Sequence, residues 1–289
     1  MTRAAIPLHG WLGLGVIVAA EILLFAGEPV AGRWFTPIVW TGYVLLVDAL
    51  AARLTGRSYL TTARAELVLV AAASIGCWWL FEWYNAPRFW RGGVERAGLW
   101  WQYRGLEPDP WLRRVGYDWS FATIFPALFL TAAVLRASVF ARARVRPWQP
   151  SPGFLRAAVA AGAVSVVLPL VVVSEWLVPL VWTGFALLLE PLNYRSGRPS
   201  WLGALARGDA SLLLALLAAG AVCGVLWEFW NYWALARWTY TVPYLGQVKV
   251  FEMPVLGYLG FPPFALECHA MYHWLRGVLA PETPARVPA

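Results

Sequence analysis

Apolar residues run in eight long stretches, at roughly 10–27, 34–52, 66–85, 119–140, 156–174, 176–193, 210–234 and 253–276, with charged residues gathered between them. A helix that crosses a bilayer needs about 20 predominantly apolar residues, somewhat fewer where flanking groups snorkel. Each stretch therefore predicts a spanning helix, and the fold class is all-α, a polytopic helical membrane protein. Pro37 and Pro179 stand near the starts of the second and sixth stretches, where the first turn of a helix accepts proline. Pro169, Pro262 and Pro263 fall inside apolar runs and predict kinks.

Basic residues set an orientation. Arg3, Arg53, Arg57, Arg64, Arg136, the linker arginines Arg142, Arg144 and Arg146, Arg156, Arg195, Arg198, Arg207, Arg276 and Arg286 all fall on the side of the N-terminus. The opposite side holds Arg33, Arg237, Lys249 and a long loop from Arg88 to Arg114 whose arginines are partly balanced by Glu95, Glu107, Asp109 and Asp118. Short loops are thus biased, and both termini are expected in the cytoplasm. Arg3 ahead of an apolar run superficially resembles a cleaved leader, but the run is long and contains Glu21, so the segment is read as retained.

The second half of the chain repeats the first. Trp34-Phe-Thr-Pro37-Ile-Val-Trp40-Thr41-Gly42 matches Trp176-Leu-Val-Pro179-Leu-Val-Trp182-Thr183-Gly184. In register with these, Asp48 meets Glu190, Cys77 meets Cys223, Glu82 meets Glu228, Asn85 meets Asn231, Trp101-Gln-Tyr103 meets Trp238-Thr-Tyr240, and Gly116-Tyr117 meets Gly257-Tyr258. Unrelated apolar segments share Leu and Val, but not Trp, Thr, Glu and Asn in order. The expected organisation is a first repeat over 1–140, a basic cytoplasmic linker over 141–152, and a second repeat with a short tail over 153–289. Four spans in each half make the repeats parallel, with a pocket expected between them.

Composition narrows the function classes. The chain has 289 residues, 60% hydrophobic and 13% charged, where soluble domains carry about a quarter charged residues. Disorder, collagen and a disulfide scaffold are excluded, since Cys77, Cys223 and Cys268 are dispersed within apolar runs as small helix-contact residues. The net charge of +7 belongs to the loop bias and to anionic headgroups, so no nucleic-acid partner is expected. The 20 Trp exceed what belts at the two bilayer interfaces require, and Trp78, Trp79, Trp227 and Trp230 sit beside acidic residues as expected walls of an apolar cavity.

A carboxyl within a span costs about 2.5–3.5 kcal/mol on insertion scales, which makes it a functional candidate. Glu82 and Asn85 share a helix face at i and i+3, as do Glu228 and Asn231, while Glu267 is the most deeply placed acid and Glu21 a further candidate. A protonated carboxyl in an apolar pocket can act as general acid while a second acts as base. The plainer role for the same residues is hydrogen bonding between helices. Asp48 and Glu190 are expected to pair with Arg53 and Arg195 at the interface, and Glu66 and Asp209 to sit at helix N-termini. His269 and His273, at i and i+4, are too few for a metal site, and no metal or cofactor is expected. No phosphate-cradling Gly loop or Ser/His/Asp arrangement occurs. The single lysine, Lys249, lies in a loop, which argues against a Schiff base within a span.

Trp227-Glu228, Trp238-Thr-Tyr240 and the run from Pro263 to Glu267, with Glu82, Trp101-Gln-Tyr103 and Pro126 in the first half, resemble the lycopene cyclase domain of bacterial and fungal carotenoid enzymes. That resemblance implies protonation and cyclisation of a polyene by membrane carboxyls. The Pro-x-Glu-Glu signature of that domain is missing here, and no acid follows Pro126. The Trp-Thr-Gly and Phe-Glu or Trp-Glu runs are also similar to a family of bacterial polytopic membrane proteins, which implies the bacterial inner membrane and no particular activity. The expected function is an integral-membrane enzyme acting on an isoprenoid or other hydrophobic lipid by acid–base chemistry. Glu82, Glu228 and Glu267 would be its carboxyls, Asn85 and Asn231 would orient them, and Trp78, Trp79, Trp227, Trp230, Trp238 and Tyr240 would hold the substrate. The alternatives are a proton-coupled carrier using the same carboxyls and a pigment- or lipid-binding assembly subunit. Oligomeric state is not legible in the sequence.

Overall fold

The computed structural model describes residues 5–87 and 98–279. Arg3, Arg88 to Glu95 of the long loop, Arg286 and the tail beyond 279 lie outside the described residues. The elements in order are α1 (Leu8–Phe25), α2 (Pro29–Arg33), α3 (Phe35–Thr55), α4 (Arg64–Asn85), β1 (Trp101–Arg104), α5 (Pro110–Ala137), α6 (Pro152–Val171), α7 (Val178–Arg195), α8 (Trp201–Ala206), α9 (Ser211–Trp233), β2 (Arg237–Tyr240), β3 (Lys249–Val250), β4 (Met253–Pro254) and α10 (Phe261–Leu279). Short 3-10 turns precede α7 and α10. Among the described residues, seven helices are long and apolar enough to cross a membrane. The chain is an all-α polytopic membrane protein.

The eighth expected span behaves differently. Its first residues form β4 and a 3-10 turn, and the helix begins only at Phe261, so Pro262 and Pro263 occupy its first turn and not a mid-span kink. α10 carries Glu267, His269, His273 and Arg276, all buried, and is not among the seven apolar helices. Protein, not lipid, covers these polar groups, which is why the helix tolerates them.

Local chemistry starts and stops the helices. Asp109 caps α5 by accepting from the amides of Trp111 and Leu112 at 2.9 Å each, and Ser151 caps α6 through Phe154 N at 3.1 Å, each followed by proline. Pro126 lies within α5. Near it, Ser74 of α4 donates to Phe121 O and accepts from Phe125 N at 3.1 Å, so a side chain from the neighbouring helix satisfies backbone groups beside the proline.

Helix packing follows one plan in both halves. α1 packs on α3 and α6 on α7; α3 packs on α5 and α7 on α10; α4 packs on α5 and α9 on α10. Glycines set the first of these contacts. A Cβ on Gly13 would stand 2.5 Å from Gly42 O, and one on Gly162 would stand 2.3 Å from Leu188 N. Between helices in lipid, small residues permit this close approach. Gly13→Val and Gly162→Val are each expected to cost about 1–3 kcal/mol by overpacking. Unfolding in mixed micelles should register the loss, and unchanged midpoints for both variants would contradict the packing.

At the end of the bundle away from the strands, two carboxyls fasten turns and two join separate segments. Asp48 accepts from Ser58 Oγ at 2.5 Å and Tyr59 N at 2.7 Å, with His9 Nε2 3.1 Å away. Glu190 accepts from Ser200 Oγ at 2.6 Å and Leu202 N at 2.8 Å. The expected pairing with Arg53 and Arg195 is replaced by these turn contacts, because both carboxyls are fully buried and a nearby hydroxyl and amide reach them without a long side chain. Asp209 joins Arg136 at 3.1 Å to Arg144 of the linker at 3.4 Å. Glu66 receives Arg276 Nε at 2.7 Å and the Tyr272 hydroxyl, joining the start of α4 to the end of α10.

Candidate functional site

At the opposite end, β1 and β2 form a two-stranded antiparallel ribbon in which Trp101 faces Tyr240 and Tyr103 faces Trp238. Side chains alternate along a strand, so these four aromatic residues point to one face. The sequence expectation of loops at these motifs is corrected: the two Trp-x-Tyr runs pair with each other across the halves. Each strand is tied to the helix before it. Asn85 donates to Trp101 O at 2.9 Å and accepts from Trp100 N at 2.8 Å; Asn231 donates to Trp238 O at 2.8 Å and accepts from Trp238 N at 2.9 Å. Both amides thus bind strand backbone and hold the ribbon.

Beneath the ribbon lies a cavity of about 1090 Å³, counting its open mouth. Its walls include Trp40, Trp78, Trp101, Tyr103, Tyr117, Phe121, Trp182, Trp227, Trp238, Tyr240, Phe261 and Phe264. Trp40 sits at its centre of packing, with Trp227 at 5.2 Å and Trp230 at 5.1 Å between ring centroids. A second space of about 860 Å³ adjoins the ribbon and shares Trp101, Trp182 and Tyr240 with the first.

The two matched carboxyls have unlike surroundings. Glu82 Oε1 receives three donors: Trp78 Nε1 and Trp101 Nε1 at 3.0 Å each, and the Tyr103 hydroxyl at 2.5 Å. Glu228 Oε1 receives the Tyr240 hydroxyl at 2.8 Å, which in turn accepts from Trp238 Nε1 at 2.8 Å. Glu228 Oε2 is buried with no hydrogen-bond partner among the described residues, and Glu228 lines the cavity. The difference traces to two residues: Trp101 donates to Glu82 directly, whereas its counterpart Trp238 donates to the Tyr240 hydroxyl, and Trp78 has no counterpart. Four positions before Glu82 stands Trp78, whereas four before Glu228 stands Gly224, where a Cβ would lie 2.2 Å from the Phe261 ring. Phe261 occupies the space of the missing indole but brings no donor. An orphaned buried carboxyl oxygen is costly; Glu190 and Glu267 each carry one as well, but of the three Glu228 alone lines the cavity.

Burial pushes the Tyr103 and Tyr240 hydroxyls far up, and the adjacent Glu82 and Glu228 add to the effect, so both phenols remain donors. The ribbon therefore supplies fixed hydrogen bonds to each carboxyl.

The other sequence candidates separate. Trp78, Trp227, Trp238 and Tyr240 line the cavity. Trp79 does not: its Nε1 donates to Asp118 at 2.7 Å and Arg114 stacks 4.2 Å over its ring, clasping α4 to α5. Trp230 packs behind Trp40 and donates to Glu21 at 2.9 Å. Glu267 is fully buried and accepts from Phe185 N at 2.9 Å, inside α7 and away from the walls of both spaces. His269 and His273 lie 4.3 Å apart between ring centroids, and among the described residues no group of three or more His, Cys, Asp or Glu could hold a metal. Trp40, Trp182, Phe261 and Phe264 were missed as wall residues, although Trp40 and Trp182 are the third landmark of the repeated Trp-x-x-Pro-x-x-Trp-Thr-Gly motif.

No known protein family, curated protein or solved structure that was compared with this chain matches it.

Proposed function

We propose that the chain is an integral-membrane enzyme that takes an apolar, unsaturated chain, such as an isoprenoid, into the aromatic cavity and moves a proton with Glu228. The observation that carries the reading is Glu228, a buried carboxyl with one oxygen unpartnered among the described residues, in the lining of a cavity walled by indole and phenyl rings. The proton on Oε2 adds to one carbon of a double bond and leaves a carbocation on its neighbour. The faces of Trp40, Trp182 and Trp227 favour that cation, and the apolar walls of the deep end keep water from trapping it. The cation closes a ring or stays linear, then loses a proton from an adjacent carbon to the Glu228 carboxylate. Protons balance, nothing is oxidised, and the product is an isomer of the substrate. In this reading Glu82 fixes the ribbon and takes no proton, and the resemblance to the lycopene cyclase domain supports the same chemistry.

The halves over 1–140 and 153–289 serve as two repeats joined by the basic linker, and both termini face the cytoplasm of a bacterial inner membrane. The support is the run of arginines in short loops on that side.

Solvent isotope exchange tests the chemistry without a known product. Purified protein is incubated in D2O with carotene-like polyenes and prenyl lipids, and the lipids are analysed by mass spectrometry. Deuterium on carbon, dependent on protein, is the expected result. Retention of a lipid with no deuterium in any panel member would leave a binding protein and overturn the catalytic reading.

A further inference from the structure

The cavity has two unlike ends. Its deep end is formed by Glu228, Trp40 and Phe264, which are 0%, 1% and 3% exposed. Its mouth lies where α2 meets the start of α5, beside the half-exposed Leu112, and there the lining changes from rings to Arg33, Glu107 and Arg113. Arg33 Nη1 reaches Glu107 at 3.4 Å, a stretched contact, and Arg33 Nε is buried without a hydrogen-bond partner among the described residues. The Arg113 guanidinium makes no side-chain hydrogen bond or ion pair among the described residues. Among the described residues, the rim of this apolar cavity thus holds two guanidinium groups and one carboxylate, an excess of positive charge. Guanidinium forks match the paired oxygens of carboxylates and phosphates.

We infer that the cavity takes a single-chain amphiphile with an anionic head, held by Arg33 and Arg113 at the mouth, with its apolar chain running inward to Glu228. The inference rests on the apolar-ligand reading above and adds the head group and the direction of entry. Glu228 then meets the chain at its inner part, so the proton transfer acts on the tail and leaves the head untouched. The head is a carboxylate or a phosphate monoester; both present the same chemistry to the two arginines.

Oleyl phosphate, oleic acid and oleyl alcohol share one chain length and differ only in the head, and their binding to the full-length protein in neutral micelles is measured by titration calorimetry. One or both anions are expected to bind about 10-fold or more tightly than the alcohol in about 0.05 M salt. That preference should shrink as salt rises to about 0.5 M, with the alcohol unaffected. The tighter of the two anions names the head. Arg33→Gln with Arg113→Gln should bring anion and alcohol to equal affinity, and Arg33→Lys with Arg113→Lys should retain a preference, which controls for folding. Equal affinity of all three probes for the unaltered protein overturns the inference, as does an anion preference that survives in the double Gln variant. The preference should persist in Glu228→Gln. If it persists while no deuterium exchange is ever found, the chemistry falls and the head site stands; if no probe binds at all, the cavity reading falls and takes the head site with it.

Discussion

Glu228→Gln is expected to lower isotope exchange and product formation by about 10²–10⁴-fold, the usual worth of a positioned general acid or base. Gln keeps the shape and can still accept from the Tyr240 hydroxyl, so the ribbon and cavity should persist and lipid retention should change little. Glu82→Gln provides the contrast. It weakens an oxygen that receives Trp78, Trp101 and Tyr103, so its cost should appear in thermal stability, with turnover per folded molecule within a few-fold of the unaltered protein. Turnover that survives in Glu228→Gln, or collapses equally in both variants at equal folded fraction, would remove the distinction between the two carboxyls.

The largest expected effect on stability lies at the far end of the bundle. Glu66 and Arg276 are 6% and 8% exposed and meet at 2.7 Å, with the Tyr272 hydroxyl on the same carboxylate oxygen. Removing one member of a buried ion pair costs about 3–5 kcal/mol, because the other charge keeps its burial and loses its counter-charge. Glu66→Ala should therefore destabilise the protein by about that amount and loosen α4 from α10. Glu66→Leu combined with Arg276→Leu should recover most of the loss, since two apolar side chains need no solvation. Denaturant unfolding in mixed micelles separates the cases. A loss below about 1 kcal/mol for Glu66→Ala, the value of an exposed pair, would show that water reaches this pair.

The helices were legible because a lipid-facing segment must be apolar along its whole length, and that signal is one-dimensional. Seven expected spans match seven observed helices within a few residues, except that α5 begins at Pro110, nine residues before the expected start at 119. The eighth shows the limit. Residues 253–276 read as one apolar run, yet the strand before Phe261 is set by a tight turn that pairs Met253 with Val250, a backbone contact that hydropathy does not register. The ribbon was hidden for the same reason. Trp101-Gln-Tyr103 and Trp238-Thr-Tyr240 were visible as a repeated pair, but four-residue strands become strands only when they meet, and their meeting joins residues 133 to 139 positions apart.

The site was legible in part. Repetition drew attention to Glu82 and Glu228 together, and that symmetry suggested a matched acid–base pair. Part of the asymmetry lies in Trp78 against Gly224, a difference inside otherwise corresponding helices that carries meaning only once Phe261 is seen in the vacated space; the rest lies in Trp238, which donates to the Tyr240 hydroxyl where Trp101 donates to Glu82. Asn85 and Asn231 share faces with the carboxyls, as the i and i+3 spacing implies, but their amides had two hydrogen-bonding partners waiting in the strand backbone. Trp79 and Trp230 lie beside acids in the sequence, yet they donate to Asp118 and Glu21 from other helices, so sequence neighbourhood did not decide which rings face the cavity.

Carboxyl labelling compares the two acids within one molecule. Dicyclohexylcarbodiimide is an apolar reagent that adds to carboxyl groups reachable from a greasy space, and peptide mass mapping locates each adduct. With Glu228 in the cavity lining and Glu82 held by three donors, the adduct should form on Glu228 several-fold faster, and a lipid bound in the cavity should protect it. Equal labelling of Glu82, or a Glu228 that stays unmodified while exposed acids react, would contradict the account.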